Sequence, residues 1–385
     1  MKLYILRIGA FLLLFPVMLV LSELSVRYFH LKEIGEPRHD AEEAPYMPLR
    51  LKANYQGALL DLQFSTNQYG FRDEDDFPRT APAGEYRILA LGDSVGFGIG
   101  VPAADHYTQV LEQELNAGFP SRQFRVVNAA GQGYSPSTYY AYLKHEGIQL
   151  GPRLVIAEIE LCNDITDEAL LRWEAGEGQA TFPQTVRGGR YVIAWDGNLL
   201  GVTSIGPYFF EKTYLYTLLS RRVLNALNRI DPTEPNHGHP GTTYYIRDFE
   251  RYLLDDERLE SGWSRTFRAL EATRDLLDSR GISFLVMILP SRYIFEEHAP
   301  RHQAFARKLV KRAVALARKK QIPYLDFTGA MESNGGSDLY FDFAHPTAEG
   351  NRVIGKWLAE YFISAADPSV SLSRASGARY LDPEG

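Results

Sequence analysis

The chain has 385 residues, of which 45% are hydrophobic and 23% charged, a composition that allows a substantial buried core in one large domain or two small ones. The formal net charge of −7 argues against a nucleic-acid partner, because nucleic acids call for a basic face. The single cysteine, Cys162, excludes an internal disulfide, and without a Cys pair or His-x-x-His spacing we expect neither a metal nor a cofactor.

Residues 1–29 are predicted to form a membrane anchor. Lys2 and Arg7 precede an apolar run that ends at Leu21 and approaches the length of a short membrane helix. Positive charges in front of such a run favour a cytoplasmic N-terminus and an outward-facing remainder, which is periplasmic in a Gram-negative cell. A cleaved signal peptide is the alternative, but no small-x-small cleavage site follows. We expect a single-pass protein of the cell membrane.

Residues 30–84 are rich in proline and charge, and we interpret them as a juxtamembrane connector that packs partly on the next domain. The apolar run that follows, from Tyr86 to Leu91, predicts a buried strand that leads directly into Gly92-Asp93-Ser94. Open α/β sheets bind ligands at this edge, and the glycines after the serine would let backbone N–H groups approach a substrate. Ser94 is therefore a candidate nucleophile, although a plain strand-to-helix turn produces the same short pattern.

Four more strands are predicted along the chain, at residues 124–128, 154–161, 282–289 and 324–327. Helices are predicted between them at residues 106–115, from 136, 264–279, 302–320 and 346–362. Asp105 is the expected cap of the first helix. This alternation predicts a three-layer α/β/α fold with a mostly parallel, five-stranded sheet. Glu158 and Glu160 lie in the third strand without an evident reason, because buried parallel strands are usually apolar on both faces.

Between residues 165 and 261 the sheet pattern stops, and this length is too great for a structureless loop. We interpret the segment as an insertion with a hairpin near 191–199 and a helix near 215–228, covering the site or facing the membrane. Its many aromatic side chains suit sugars or membrane interfaces, but core packing explains them equally well. Residues 366–385 are small and polar and are expected to be disordered.

Taken together, four separated blocks resemble the signature blocks of the SGNH, or GDSL-type, serine hydrolases. The blocks are Gly92-Asp93-Ser94, Asn128 to Tyr134, Leu161 to Asp164, and Asp342-Phe343-Ala344-His345. The resemblance covers residues 85–365, which implies one hydrolase-like domain that contains the insertion. Two positions depart from the family pattern: Val95 stands where leucine is usual, and Cys162 where many members carry glycine.

The resemblance implies a role for each matched residue. Ser94 would be the nucleophile, His345 the general base, and Asp342 the residue that orients the base. The N–H groups of Ser94 and Gly133 and the side chain of Asn163 would form the oxyanion hole. His106, close to the serine in sequence, is the alternative base, but a side chain at the start of the following helix usually points away from the sheet edge.

The expected function is a membrane-anchored, outward-facing serine esterase that removes acyl groups, such as acetyl, from a carbohydrate or exported polysaccharide. The run from Asn67 to Arg72 resembles an Asn-x-x-Gly-Phe-Arg motif of a membrane-anchored bacterial subgroup associated with extracellular polysaccharide, although a β-turn also explains it. Alternatives are an O-acyltransferase on an exported glycan, a lysophospholipase or thioesterase, and an idle module of a polysaccharide-assembly machine. Expected partners are an acylated substrate, the membrane and polysaccharide-assembly proteins.

Overall fold

The structure is a computed structural model of the chain, and it describes residues 14–25, 28, 41–42, 46, 50–59, 62–73, 75–161, 164–170, 172–175, 183–187 and 256–364. The strands are Ala41–Glu42 (β1), Arg50–Leu51 (β2), Gln56–Leu59 (β3), Leu62–Ser65 (β4), Glu85–Leu91 (β5), Gln123–Asn128 (β6), Leu154–Glu160 (β7), Arg172–Ala175 (β8), Pro183–Arg187 (β9), Ser283–Leu289 (β10) and Tyr324–Asp326 (β11). The helices from the sheet onward are Ser94–Phe97 (α1), Tyr107–Gly118 (α2), Pro136–His145 (α3), Asp164–Leu170 (α4), Asp256–Asp278 (α5), Pro300–Lys319 (α6), Thr328–Ser333 (α7) and Ala348–Ser364 (α8).

Five strands form one sheet in the spatial order β11-β10-β7-β5-β6, and all four pairings are parallel. Every residue of β5 and of β7 is buried. Their mostly apolar content fits this position, because a parallel sheet with both faces covered excludes water from both sides of a strand. The predicted α/β fold with a five-stranded, mostly parallel sheet is confirmed.

The chain reverses its direction across the sheet after β6. The connection from β5 to β6 adds a strand on one side of β5. The later connections add β7, β10 and β11 in turn on the other side. Because parallel crossovers are right-handed, the reversal places α2 on one face and α3, α5 and α6 on the opposite face. The packing agrees, since α8 lies against α2, and α5 lies against α3 and α4. The ends of β5 and β7 flank the reversal, where open α/β sheets bind their ligands.

The cap of α2 differs from the sequence prediction. Asp105 was the expected cap, but the side chain of His106 accepts the N–H of Thr108 at the start of the helix. The Asp105 carboxylate instead accepts a hydrogen bond from Arg352 of α8 at 3.1 Å. The prediction was wrong because a partner far along the chain competes for the aspartate.

The predicted connector contacts the sheet domain through several of its described residues. Arg50 forms an ion pair with Glu146 just after α3, at 3.0 Å. Arg125 of β6 forms another with Asp73, at 2.7 Å. The chain divides into two compact units, and the one that holds the sheet begins at Asp40. The described part of the connector is therefore continuous with the packing of the sheet domain.

The other compact unit contains residues 1–39 and 190–243. Residues 14–25 within it are helical, and their large apolar side chains, such as Leu14 and Met18, are exposed. Among the residues that the structure describes, no helix is both long enough and apolar enough to cross a membrane.

The predicted insertion, residues 165–261, is described only in part. β8 and β9 form an antiparallel hairpin that the sequence did not predict. The helix that closes the insertion, α5, begins at Asp256, earlier than predicted. The hairpin predicted near 191–199, the helix predicted near 215–228 and the tail at 366–385 lie outside the described residues.

Candidate active site

Ser94 is the first residue of α1, directly after the turn Gly92-Asp93 that ends β5. The turn is fixed by the Asp93 side chain, whose Oδ1 accepts the N–H of Val95 at 2.8 Å. At the other end of α1, Gly98 adopts a left-handed conformation, with φ of 82°, that stops the helix after one turn. This arrangement leaves Ser94 partly exposed at the carboxyl edge of the sheet.

His345 and Asp342 reach Ser94 from the far end of the chain. The Nε2 atom of His345 lies 3.0 Å from the Oγ atom of Ser94, and its Nδ1 atom lies 2.7 Å from the Oδ2 atom of Asp342. The other Asp342 oxygen accepts the backbone N–H groups of Ala344 at 2.9 Å and His345 at 2.7 Å. The Asp342 carboxylate thus holds both its own loop and the His345 ring. The structure brings together Ser94, His345 and Asp342, the three side chains predicted to form the triad.

The electrostatics of this pair suit a base. Burial acts to lower the pKa of His345, but the hydrogen bond and charge of Asp342, with the charge of Asp93, raise it above 6.5. Burial acts to raise the pKa of Asp342, but the hydrogen bond and charge of His345 and two backbone N–H groups hold it below 3.8. Asp342 is therefore ionised at neutral pH and stabilises a proton taken up by the imidazole.

Gly133, a predicted oxyanion-hole donor, lies in the loop after β6 with φ of 72°, a conformation that side chains rarely adopt. The loop is tied to the turn before the serine, because the N–H of Gly131 donates to the carbonyl oxygen of Gly92 at 3.1 Å. The third predicted donor, Asn163, lies outside the described residues, as does Cys162.

His106, the alternative base, has a different environment. Its ring is buried, and its Nδ1 atom lies 2.9 Å from the Oγ1 atom of Thr108. Burial, followed by the positive charge of Arg72, lowers the pKa of His106 to about 3. The ring therefore stays neutral near neutral pH and caps α2. The structure pairs Ser94 with His345, as the block resemblance implied.

Arg72 is a residue of the site region whose contacts the sequence analysis missed. Its buried guanidinium donates to the carbonyl oxygens of Phe97, at 2.8 Å, and of Gly98 and Val101. Asn67 accepts two backbone N–H groups within the same motif, at 2.9 and 3.2 Å, and so shapes the turn that presents the arginine. The motif therefore fixes the glycine-containing loop that follows the nucleophile.

Phe341 is a second residue that the sequence analysis missed. Its ring stacks on the imidazole of His345, with centroids 5.6 Å apart and planes at 16°. The same ring packs against Gly100, where an added Cβ would lie 2.7 Å from it. Phe341 thus bounds the space beside the triad, and its place directly before the last signature block is the signal that could have found it.

No family model and no curated protein matches the sequence. Solved structures of similar fold are found at low sequence identity. A protein of the G-D-S-L family from Desulfitobacterium hafniense is 13% identical, covering 71% of this chain and 98% of its own, with a TM-score of 0.36. An acetylxylan esterase from Geobacillus stearothermophilus is 12% identical, covering 76% and 95%, with a TM-score of 0.38. A two-domain esterase active on acetylated mannans is 12% identical, covering 78% and 53%, with a TM-score of 0.38. These TM-scores are all below 0.5, so the activity has to be inferred from the side chains of the chain itself.

Proposed function

We propose that this chain is a serine hydrolase of ester bonds, with Ser94 as nucleophile, His345 as general base and Asp342 as the partner of the base. The observation that carries the proposal is the unbroken set of contacts from Ser94 Oγ through both imidazole nitrogens to the carboxylate, at 3.0 and 2.7 Å. A serine hydroxyl is a weak nucleophile without such a base. The contacts lie at the sheet edge where a ligand is expected.

In the proposed reaction, His345 Nε2 takes the proton of Ser94 as Oγ attacks the ester carbonyl carbon. Asp342 stabilises the imidazolium that forms. The N–H groups of Ser94 and Gly133 and the Asn163 amide hold the tetrahedral oxyanion. Collapse breaks the bond to the alcohol, which leaves with the proton from His345. The same base then activates water, which releases the acid and restores the serine.

We infer that the catalytic domain is anchored to the cell membrane and faces outward. Lys2 and Arg7 in front of the apolar run support an N-terminus in the cytoplasm. The exposed apolar side chains of residues 14–25 support burial in lipid rather than in a protein core. The chain should stay in the membrane fraction after a salt wash, with its C-terminal domain open to protease from outside. A soluble form starting near Ser25 would instead show a cleaved signal peptide.

For the substrate we propose a short acyl group, such as acetyl, on a carbohydrate or exported polysaccharide. A long acyl chain needs a continuous aliphatic groove, whereas Val95 and Phe97 turn into the core, and glycines fill much of the loop after the serine. The Phe341 ring, which packs against Gly100, further narrows the space for an acyl chain beside this loop. The partly exposed ring also offers a flat surface to a sugar.

Two measurements test the function and the substrate. A fluorophosphonate should label the wild-type protein at Ser94, and a Ser94→Ala variant should not be labelled.

Acetyl esters should be hydrolysed faster than long-chain esters, and an acetylated oligosaccharide faster than a simple acetyl ester, because remote binding energy can act at the reacting centre. Phe341→Ala should lower the rate on the oligosaccharide more than on the simple ester. Faster cleavage of lysophospholipids would contradict the substrate, and faster transfer to a sugar than to water would indicate an acyltransferase.

A further inference from the structure

Glu158 is a fully buried glutamate directly beneath the turn that carries Ser94. It lies near the carboxyl end of β7, the neighbour of β5 in the sheet. Its Oε2 atom is so close to the turn that a Cβ added to Gly92 would lie 2.8 Å away, and one added to Gly96 would lie 2.7 Å away. The two glycines on either side of the nucleophile thus make room for this carboxyl group.

Both carboxyl oxygens of Glu158 are buried without a hydrogen-bonded partner among the described residues, and the carboxyl group of Asp93 is an acidic neighbour of theirs. Asp93 is buried too, and its Oδ1 atom already accepts the N–H of Val95 that begins α1. Two ionised carboxylates present only acceptors to each other, so a hydrogen bond between them requires one proton. Two such charges in contact away from water would also repel strongly. A buried carboxyl group without a donor, packed under the turn beside a second carboxyl group, therefore favours one protonated acid in this pair.

The surroundings place the proton on Glu158. Burial, then the negative charges of Asp93 and Glu160, raise the pKa of Glu158 well above 4.5. The titratable groups that face this pair are acidic or phenolic, apart from His345: Glu160, Asp164, Tyr107 and Tyr139. A proton on one of these acids lowers the negative charge beneath the serine.

We propose that Glu158 is a positioning residue that stays a neutral carboxylic acid and donates its proton to Asp93, thereby holding the turn that presents Ser94. The effect on rate rests on the proposed hydrolase function. The proton stays on Glu158 throughout the reaction, and no bond to substrate is made. Asp93 keeps its negative charge, which caps α1 and adds to the stabilisation of protonated His345.

The test compares two substitutions at one position. Glu158→Gln keeps the shape and a neutral donor, so fluorophosphonate labelling of Ser94 should stay within about threefold of wild type. Glu158→Leu removes the donor to a charged acceptor, and labelling should slow by about ten- to a hundredfold. Leu277→Ala is the control, because this buried residue lies in the last turn of α5, close to the amino end of β10 and away from the site. It should lower the unfolding temperature yet leave the labelling rate of the folded protein within about twofold.

An infrared measurement tests the proton without any reaction. At neutral pH the wild-type spectrum minus the Glu158→Gln spectrum should contain the C=O band of one protonated carboxyl group. The proposal is overturned if this difference band is absent, if Glu158→Gln is labelled as slowly as Glu158→Leu, or if Glu158→Leu is labelled at the wild-type rate. A wild-type protein that is not labelled at all would contradict the hydrolase function, and the infrared band would then decide alone whether Glu158 holds the proton.

Discussion

Two histidines lie close to the loop that carries the serine, and they have opposite electrostatic environments. His345 stands against a carboxylate, Asp342, that raises its pKa above 6.5. His106 packs against Gly98, and burial together with the charge of Arg72 lowers its pKa to about 3. One ring is therefore ready to hold a proton, and the other is kept neutral. The comparison teaches that the charged neighbour, and not closeness to the nucleophile in sequence, decides which histidine can be a base.

The largest difference is expected from removing each histidine in turn. His345→Ala should lower kcat by roughly 10⁴- to 10⁶-fold, because no other group then takes the serine proton. His106→Asn should leave kcat within about threefold, because asparagine retains the cap of α2. Ester hydrolysis by each purified variant, with circular dichroism to verify folding, measures this. Activity that survives in the first variant and disappears in the second would reverse the assignment.

The next effect concerns the carboxylate that distinguishes the two rings. Asp342→Asn should lower kcat by about 10⁴-fold, because the amide no longer stabilises the imidazolium or its tautomer. Asp338→Asn, the same change at a nearby exposed aspartate, is the matched control and should have no effect. A loss of less than about tenfold in Asp342→Asn would mean that another group orients the base.

The pH dependence should follow the raised pKa of His345. The ring must be neutral to accept a proton, so activity should fall as the pH drops through this pKa, which lies above 6.5. Asp93→Asn should move this acid limb to lower pH, because it removes one negative charge that favours the protonated ring. Profiles of kcat/KM measure both. An acid limb near pH 3 would point to His106 instead.

A smaller effect is expected at Arg72, whose guanidinium and the His106 ring both lie against Gly98 in the loop after the serine. Arg72→Lys should lower kcat by about tenfold, because lysine cannot reproduce three hydrogen bonds to backbone carbonyls that each contribute about 1 kcal/mol. It should also lower the unfolding temperature. Arg79→Lys, at an exposed position a few residues later, should change neither property. Wild-type kinetics in Arg72→Lys would mean that the loop holds its shape without this contact.

The strands could be predicted because their signal is local. Apolar runs such as Tyr86 to Leu91 mark buried parallel strands without any knowledge of their partners. The pairing of Ser94 with His345 and Asp342 was accessible for another reason, since each residue stands in a recognisable block. Neither signal depends on how distant parts of the chain pack.

The features that the sequence analysis missed all depend on such packing. Arg72 binds carbonyl groups 25 or more positions away. Asp105 binds Arg352, 247 positions later, instead of capping α2. Glu158 looked out of place in a buried strand until the sheet brought it under Gly92 and Gly96. A single sequence does not reveal these long-range partners, because the pattern around each residue is equally compatible with an ordinary structural or surface position.

Ser94 and His345 are separated by 251 positions. A nascent chain therefore exposes its nucleophile long before its base has been synthesised. Even then, α8 has still to emerge and pack on α2, where the N–H of Tyr107 donates to Asn351 Oδ1 at 3.1 Å. Domains fold as units during synthesis. The order of residues thus leaves Ser94 without its base until His345 and α8 have been synthesised, and a product terminated before them carries a serine that is only a weak nucleophile.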